Sequence, residues 1–127
     1  MKIYGIGTDI VKVSRIKNSL KKSSFLSRIY NRSEVVKCKR VKNSFNCFAK
    51  RFAAKEAFSK ALGTGIAKGI KFNEIVILND KNGKPYIKLL KDTNINVVKK
   101  IKKKKFKISL SLTDEDNYAV AFVTISI

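Results

Sequence analysis

The run SFNCFAKRFAAKEAFSKAL at positions 44–62 constrains the fold more than any other part of this sequence. It is free of glycine and proline, rich in helix formers, and long enough for one extended helix. Phe48, Phe52, Ala53, Ala54, Ala57, Phe58, Ala61 and Leu62 spread around nearly its whole circumference. A helix that is apolar all round is a buried one, so other elements must surround it. Gly63-Thr64-Gly65 supplies the glycine signal that ends it. A chain of 127 residues, 44% hydrophobic, can bury such a helix within one domain spanning 1–127.

The remaining segments read as the cover for that helix. Residues 2–11 form a first strand, with Ile3, Gly5, Gly7 and Asp9 on one face and Tyr4, Ile6, Thr8 and Ile10 on the other. Glycines weaken a strand interior unless something packs close to the backbone. Ser14 is expected to cap a short helix through Arg15, Ile16 and Leu20. A second short helix carries Phe25, Leu26 and Ile29, and Ser33-Glu34 opens a third through Val35, Val36 and Val41. Beyond the long helix, 74–79 (EIVILN) and 84–90 (KPYIKLL) are strands joined by Asp80-Lys81-Asn82-Gly83, a hairpin signal. Asp92 or Thr93 caps a helix bearing Ile95, Val97, Val98 and Ile101. The strands 107–113 and 118–126 follow, joined by Asp114-Glu115-Asp116-Asn117. The class is α+β, with antiparallel strands packed around a long buried central helix.

Composition narrows the chemistry. The chain has no histidine, which removes Ser-His-Asp and Cys-His catalysis and histidine metal sites. Cys38 and Cys47 cannot supply four zinc ligands and are expected as reduced thiols of a cytoplasmic protein. No apolar run approaches the roughly 18 residues of a membrane span, and residues 1–11 lack the pattern of a signal peptide. Lys and Arg number 29 against nine Asp and Glu, a net charge of +20. That suits a polyanionic partner, although a lysine run is ordinarily a solvated face. The sequence lacks tryptophan and an aromatic stacking ladder, which counts against nucleic acid. Neither nucleic acid nor a membrane is the expected partner.

Most of the nine carboxylates stand at helix starts and turns, where carboxylates idle. Glu56 and Asp9 do not. Glu56 lies in the middle of the apolar helix, and Asp9 lies near the end of the first strand on the face of Gly5 and Gly7. A buried carboxylate without a partner costs several kcal/mol. One reading pairs Glu56 with Lys60 at i,i+4. The other brings Asp9 and Glu56 together on a hard divalent cation, since Mg²⁺ is held by one or two carboxylates, water and substrate phosphates. Lys60 would then touch a phosphate. No GxxxxGK[ST] or GxGxxG loop points to a nucleotide triphosphatase or a dinucleotide enzyme.

Four segments carry a resemblance: YGIGTDIVKVSRI at the start, FAKRFAAKEAFSKALGTGI at 48–66, NGKPYI at 82–87 and SLSLTDEDNYAVAFV at 109–123. Together they resemble the holo-[acyl-carrier-protein] synthase family, the small 4′-phosphopantetheinyl transferases of fatty-acid synthesis. The resemblance implies the 4′-phosphopantetheinyl transferase fold. It implies transfer of the phosphopantetheine arm of coenzyme A to a serine of apo acyl carrier protein, with release of adenosine 3′,5′-bisphosphate. It also implies Mg²⁺, and a homotrimer with the active site between subunits.

Residue by residue, the resemblance puts the metal on Asp9 and Glu56 and catalysis on Glu56 and Lys60. It puts coenzyme contacts on Gly63, Thr64 and Gly65 beside Lys60; Arg51 is expected to join them, and Ser111 and Thr113 are expected to take over contacts where Leu112 replaces the family's histidine. The grip on the acidic carrier falls on Arg15, with Arg28 second. A basic site suits the phosphates of coenzyme A, and a +20 chain suits an acidic carrier. Glu56 is the expected general base in a chain with no histidine. Two positions depart from the family pattern: Leu112 stands where the penultimate strand usually has histidine, and Lys50 where glycine usually precedes RFAAKEA. Two alternatives are a nucleic-acid-binding module built on the lysines of 99–105, and a catalytically weak descendant that only binds the carrier protein.

Overall fold

Helix α4 (Ser44–Leu62) is the axis of the molecule, with Phe48, Ala49, Phe52, Ala53, Ala54, Ala57, Phe58 and Ala61 all buried. The computed structural model describes residues 1–64 and 69–127. Strands β1 (Ile3–Lys12), β4 (Lys107–Asp114) and β5 (Tyr118–Ser126) form an antiparallel sheet in the order β1-β5-β4. A separate hairpin pairs β2 (Ile75–Asn79) with β3 (Pro85–Leu89). Helices α1 (Val13–Ser19), α2 (Ser23–Ile29) and α3 (Arg32–Arg40) precede α4, and α5 (Lys91–Ile101) follows the hairpin. Antiparallel strands around a buried central helix are thus what the chain forms.

The inner face of the sheet lies on α4, chiefly through β1 and β5. Ala119, Ala121, Val123 and Ile125 fill that face from β5. From β1 the two glycines do the equivalent by having no side chain. A Cβ at Gly5 would land on the Ala61 carbonyl, and one at Gly7 on the Ala57 carbonyl, with the carbonyl carbons only 2.9 Å away in both cases. Strand and helix therefore meet backbone to backbone, which accounts for the glycines in a strand interior. The register shifts between Ile3 and Gly5, so Ile3 turns to the exposed face and Tyr4 packs partly against the core.

Several local expectations are corrected. Ser14 does not cap α1: the helix begins at Val13, with Lys12 as an N-cap that makes no side-chain bond. The Val13 N–H is instead held by the Asn117 carbonyl at 2.9 Å. Helix α3 is capped by Asn31 and not Ser33, in a capping box with Glu34. Helix α5 begins at Lys91, so Thr93 lies inside its first turn, where its hydroxyl bonds to Glu74 Oε1 at 2.7 Å. The free-thiol expectation also fails. Cys38 at the end of α3 and Cys47 in the first turn of α4 form a disulfide, because the short turn between the helices brings their Cα atoms to 5.3 Å.

Candidate active site

Backbone contact between β1 and α4 places Asp9 against the helix turn that carries Glu56 and Lys60. Lys60 Nζ donates to the Thr8 carbonyl at 2.9 Å and to Asp9 Oδ1 at 3.2 Å. It thus reaches across to β1 and not back to Glu56, so the i,i+4 pair is replaced by a longer-range one. The pair is open: the Lys60 side chain is 55% exposed and that of Asp9 17%.

Burial raises the Glu56 carboxyl above its ordinary pKa, and the charge of Asp9 adds to this, while Lys60 and Arg15 pull the other way. Two carboxylates that repel one another beside an open surface match what Mg²⁺ takes from a protein: one or two carboxylates, with water and substrate phosphate completing the shell. Among the described residues no three of His, Cys, Asp and Glu converge, so the chain offers no all-protein cage.

Further along α4, Arg51 lies on a different side of the helix. It is buried, with Nη2 donating to Asn79 Oδ1 at 3.1 Å and Nη1 to Cys47 Sγ at 3.2 Å. Its Nε is buried and, among the described residues, has no hydrogen-bond partner. Burial pulls the guanidinium below its ordinary pKa, opposed by the charge of Glu34. Arg51 lines a cleft of about 370 Å³ with Lys37, Asn46, Lys50, Asn79 and Asp114. Lys50 pairs there with Asp114 at 3.3 Å, and Asn46 Nδ2 bonds to the other carboxylate oxygen at 2.9 Å. The cleft gathers the cations Lys37, Lys50 and Arg51 against the single carboxylate of Asp114, which is the chemistry of an anion site.

The other expected residues divide. Arg15 is exposed on α1, lies over the Phe52 ring at 5.7 Å and is close enough to act on Glu56. Arg28 is exposed on α2 and borders two clefts, away from the carboxylates in sequence and in element. Gly63 ends α4 in the left-handed conformation, φ 89°, and Thr64 follows it; Gly65 lies outside the described residues. Ser111 and Thr113 point to the outer face of the sheet, so a single chain does not bring them to Asp9 and Glu56. Leu112 sits between them on the inner face, half-buried, in the same cross-strand row as Ala121 and Asp9.

Sequence reasoning missed the polar partners on the far side of α4. Lys55, fully buried beside Glu56 in the chain, pairs with Glu34 at 2.7 Å. Burial pulls its ammonium down to about 8, against the pull of Glu34. A lysine in the middle of an apolar helix was the available signal, as was the Asn-x-x-Glu spacing of a capping box at 31–34. Asn79 gave no signal, because only the folded hairpin brings it to Arg51.

The family model of the 4′-phosphopantetheinyl transferase superfamily matches residues 5–123. The chain is 47% identical to the holo-[acyl-carrier-protein] synthase of Pelagibacter ubique, over 97% of this chain and 96% of that one. The crystal structure of the Neisseria meningitidis holo-[acyl-carrier-protein] synthase superposes with a TM-score of 0.87 at 38% identity, covering 98% of this chain and 99% of that one. The Bacillus anthracis holo-(acyl-carrier-protein) synthase, solved in complex with CoA (3′,5′-ADP), superposes with a TM-score of 0.81 at 34% identity, covering 99% and 98%. With a family match that begins in β1 and ends in β5, and a relative matched over nearly its whole length, the chain belongs to the 4′-phosphopantetheinyl transferase superfamily and, within it, to the holo-[acyl-carrier-protein] synthases.

Proposed function

We propose that this chain moves the 4′-phosphopantetheine arm of coenzyme A onto a serine hydroxyl of apo acyl carrier protein, leaving adenosine 3′,5′-bisphosphate. The observation that carries the reading is the meeting of Asp9, Glu56 and Lys60 where β1 touches α4. A relative solved with coenzyme A supports the donor. Family membership favours transfer over a nucleic-acid-binding module on 99–105.

In this reading Asp9 and Glu56 hold Mg²⁺, which would supply positive charge to the pyrophosphate of coenzyme A. A Glu56 carboxylate oxygen takes the proton of the attacking serine. The Lys60 ammonium, more than half exposed, turns from Asp9 to the transferring phosphate and stabilises its charge. Arg51 takes a phosphate of the nucleotide end in the cleft that it lines with Lys37 and Lys50. Gly63 and Thr64 lie beside the coenzyme at the end of α4. Arg15, stacked on Phe52 and close to Glu56, meets the acidic carrier and brings its serine to the site, and Arg28 extends that basic face.

The working assembly in this reading is a homotrimer. The outer sheet face supports self-association, with Ile6 61%, Ile10 62% and Phe122 46% exposed on neighbouring strands. Ser111 and Thr113 share that face, so a neighbouring subunit would bring them to a coenzyme held between chains. The compartment in this reading is the cytoplasm; among the described residues no helix is long and apolar enough to cross a membrane.

The test is incubation with apo carrier, coenzyme A and Mg²⁺, followed by the intact mass of the carrier. A gain of one phosphopantetheine that disappears with a chelator is the expected result. An unmodified carrier that still binds the chain would favour the binding-only descendant. Light scattering that shows only monomer at working concentration would remove the trimer.

A further inference from the structure

Two polar cross-links tie α4 to β2, one helical turn apart. In the first, Lys55 Nζ donates to Glu34 Oε1 at 2.7 Å and to the carbonyls of Phe72 and Ile75 at 2.8 and 2.7 Å. Glu34 Oε1 also accepts the Asn31 N–H at 2.9 Å, and Oε2 accepts the Ile77 N–H at 3.2 Å. All three ammonium donors and both carboxylate oxygens are used, and neither side chain reaches solvent. In the second cross-link Arg51 bonds to Asn79 and Cys47, and its buried Nε has no partner among the described residues.

The two share their supports. Lys55 and Arg51 are four apart on α4 and so lie on one face; Ile77 and Asn79 are two apart on β2 and share a side of the strand. Among the described residues Glu34 is the one buried carboxylate, facing two buried cations. A buried ion pair is a weak source of net stability, because desolvation offsets its attraction. What a fully bonded pair does supply is a fixed distance between the elements it joins. We infer that Glu34 and Lys55 are the positioning residues of Arg51: their saturated cross-link sets the spacing of α4 from β2 at which Asn79 can hold the guanidinium in the wall of the cleft that it shares with Lys37 and Lys50. This rests on the reading of Arg51 as the ligand of a coenzyme phosphate.

The test is a mutant cycle read in the affinity for coenzyme A by titration calorimetry, with melting curves to establish folding. Its members are Arg51→Gln, the charge-removing double Glu34→Gln/Lys55→Met, and the triple combination. Arg51→Gln should weaken coenzyme A by about tenfold or more, as loss of a charged hydrogen bond does. The double should weaken it by about tenfold, the lower end for loss of a supporting shell, with the carrier KM changed by less than about twofold. The triple should be no weaker than Arg51→Gln alone, since all three residues act through one contact. Unchanged affinity in Arg51→Gln overturns the reading of Arg51 itself. A folded double with wild-type affinity, or losses that multiply in the triple, overturns the positioning role and leaves that reading standing. Should the double not fold, Glu34→Asp keeps the charge, withdraws the carboxylate by one methylene, and is read by the same outcomes.

Discussion

Two of the lysine–carboxylate pairs that helix α4 carries stand little more than one turn apart, and they are opposites. Lys55–Glu34 is closed, at 2.7 Å with both side chains fully buried. Lys60–Asp9 is open, at 3.2 Å with the lysine more than half exposed. Lys55 has spent all its donors on fixed acceptors, whereas Lys60 can exchange its partners for a substrate at little cost. Glu34 is satisfied from three directions, while Glu56 is crowded by Asp9. The same two residue types therefore serve architecture on one side of the helix and chemistry on the other. What separates them is saturation and solvent access.

The sharpest way to break this contrast is to neutralise the carboxylates of the open side. Asp9→Asn and Glu56→Gln should each lower turnover by about 10²–10⁴, the range for loss of an acid–base group. The melting midpoint of Glu56→Gln should hold or rise, because one of two repelling charges has gone, and Asp9→Asn should lose no more than its exposed pair with Lys60 is worth, less than about 1 kcal/mol. A larger fall along with turnover would make these residues structural.

Next in size is the exchange of the two lysines for methionine. Lys55→Met leaves Glu34 buried and unpaired, and urea unfolding should show a loss of about 3–5 kcal/mol. Lys60→Met should cost less than about 1 kcal/mol, as exposed pairs do, yet slow the transfer. Equal losses from the two substitutions would erase the distinction.

Smaller again is Gly7→Ala. Its methyl would meet the Ala57 carbonyl and force β1 away from α4. A cost of about 1–3 kcal/mol is expected from overpacking. Turnover should fall further than stability explains, because Asp9 moves with its strand. Wild-type turnover in a folded Gly7→Ala protein would mean that the close approach does not set the site.

The smallest effect concerns salt. Raising ionic strength from about 0.1 to about 1 M shortens the screening length from about 10 to about 3 Å. The stability difference between Lys60→Met and the parent should shrink toward zero over that range. The Lys55→Met penalty should persist, since no ions reach the pair. If both differences respond alike, the closed pair is wetter than the structure has it.

Much of this was legible in the chain. The apolar circumference of 44–62 announced a buried helix because burial demands it at every angle, and it is buried. The hairpin at 80–83 follows from local turn chemistry, with Asp80 Oδ1 accepting from the N–H groups of Asn82 and Lys84. Gly5 and Gly7 signalled a close approach, and Asp9 and Glu56 stood out because a carboxylate on an apolar face needs a reason. These features are local: periodicity, turn residues and misplaced charge are properties of a few neighbouring positions.

Tertiary structure decided the partners. Helix spacing offered Glu56 to Lys60, but the strand beyond Gly7 puts Asp9 and the Thr8 carbonyl nearer to that ammonium. Lys55 could be read as an oddity in the sequence, yet its acceptors come from α3 and from residues 72 and 75, positions that no local pattern connects. Asn79 meets Arg51 only after β2 packs on α4, and Cys38 meets Cys47 only after α3 folds back on it. Sequence alone determined which residues had to be buried and which charges were out of place, because those follow from the free energy of leaving water. Which charge answers which is a matter of distance between elements remote in the chain, and only the packed structure sets that distance.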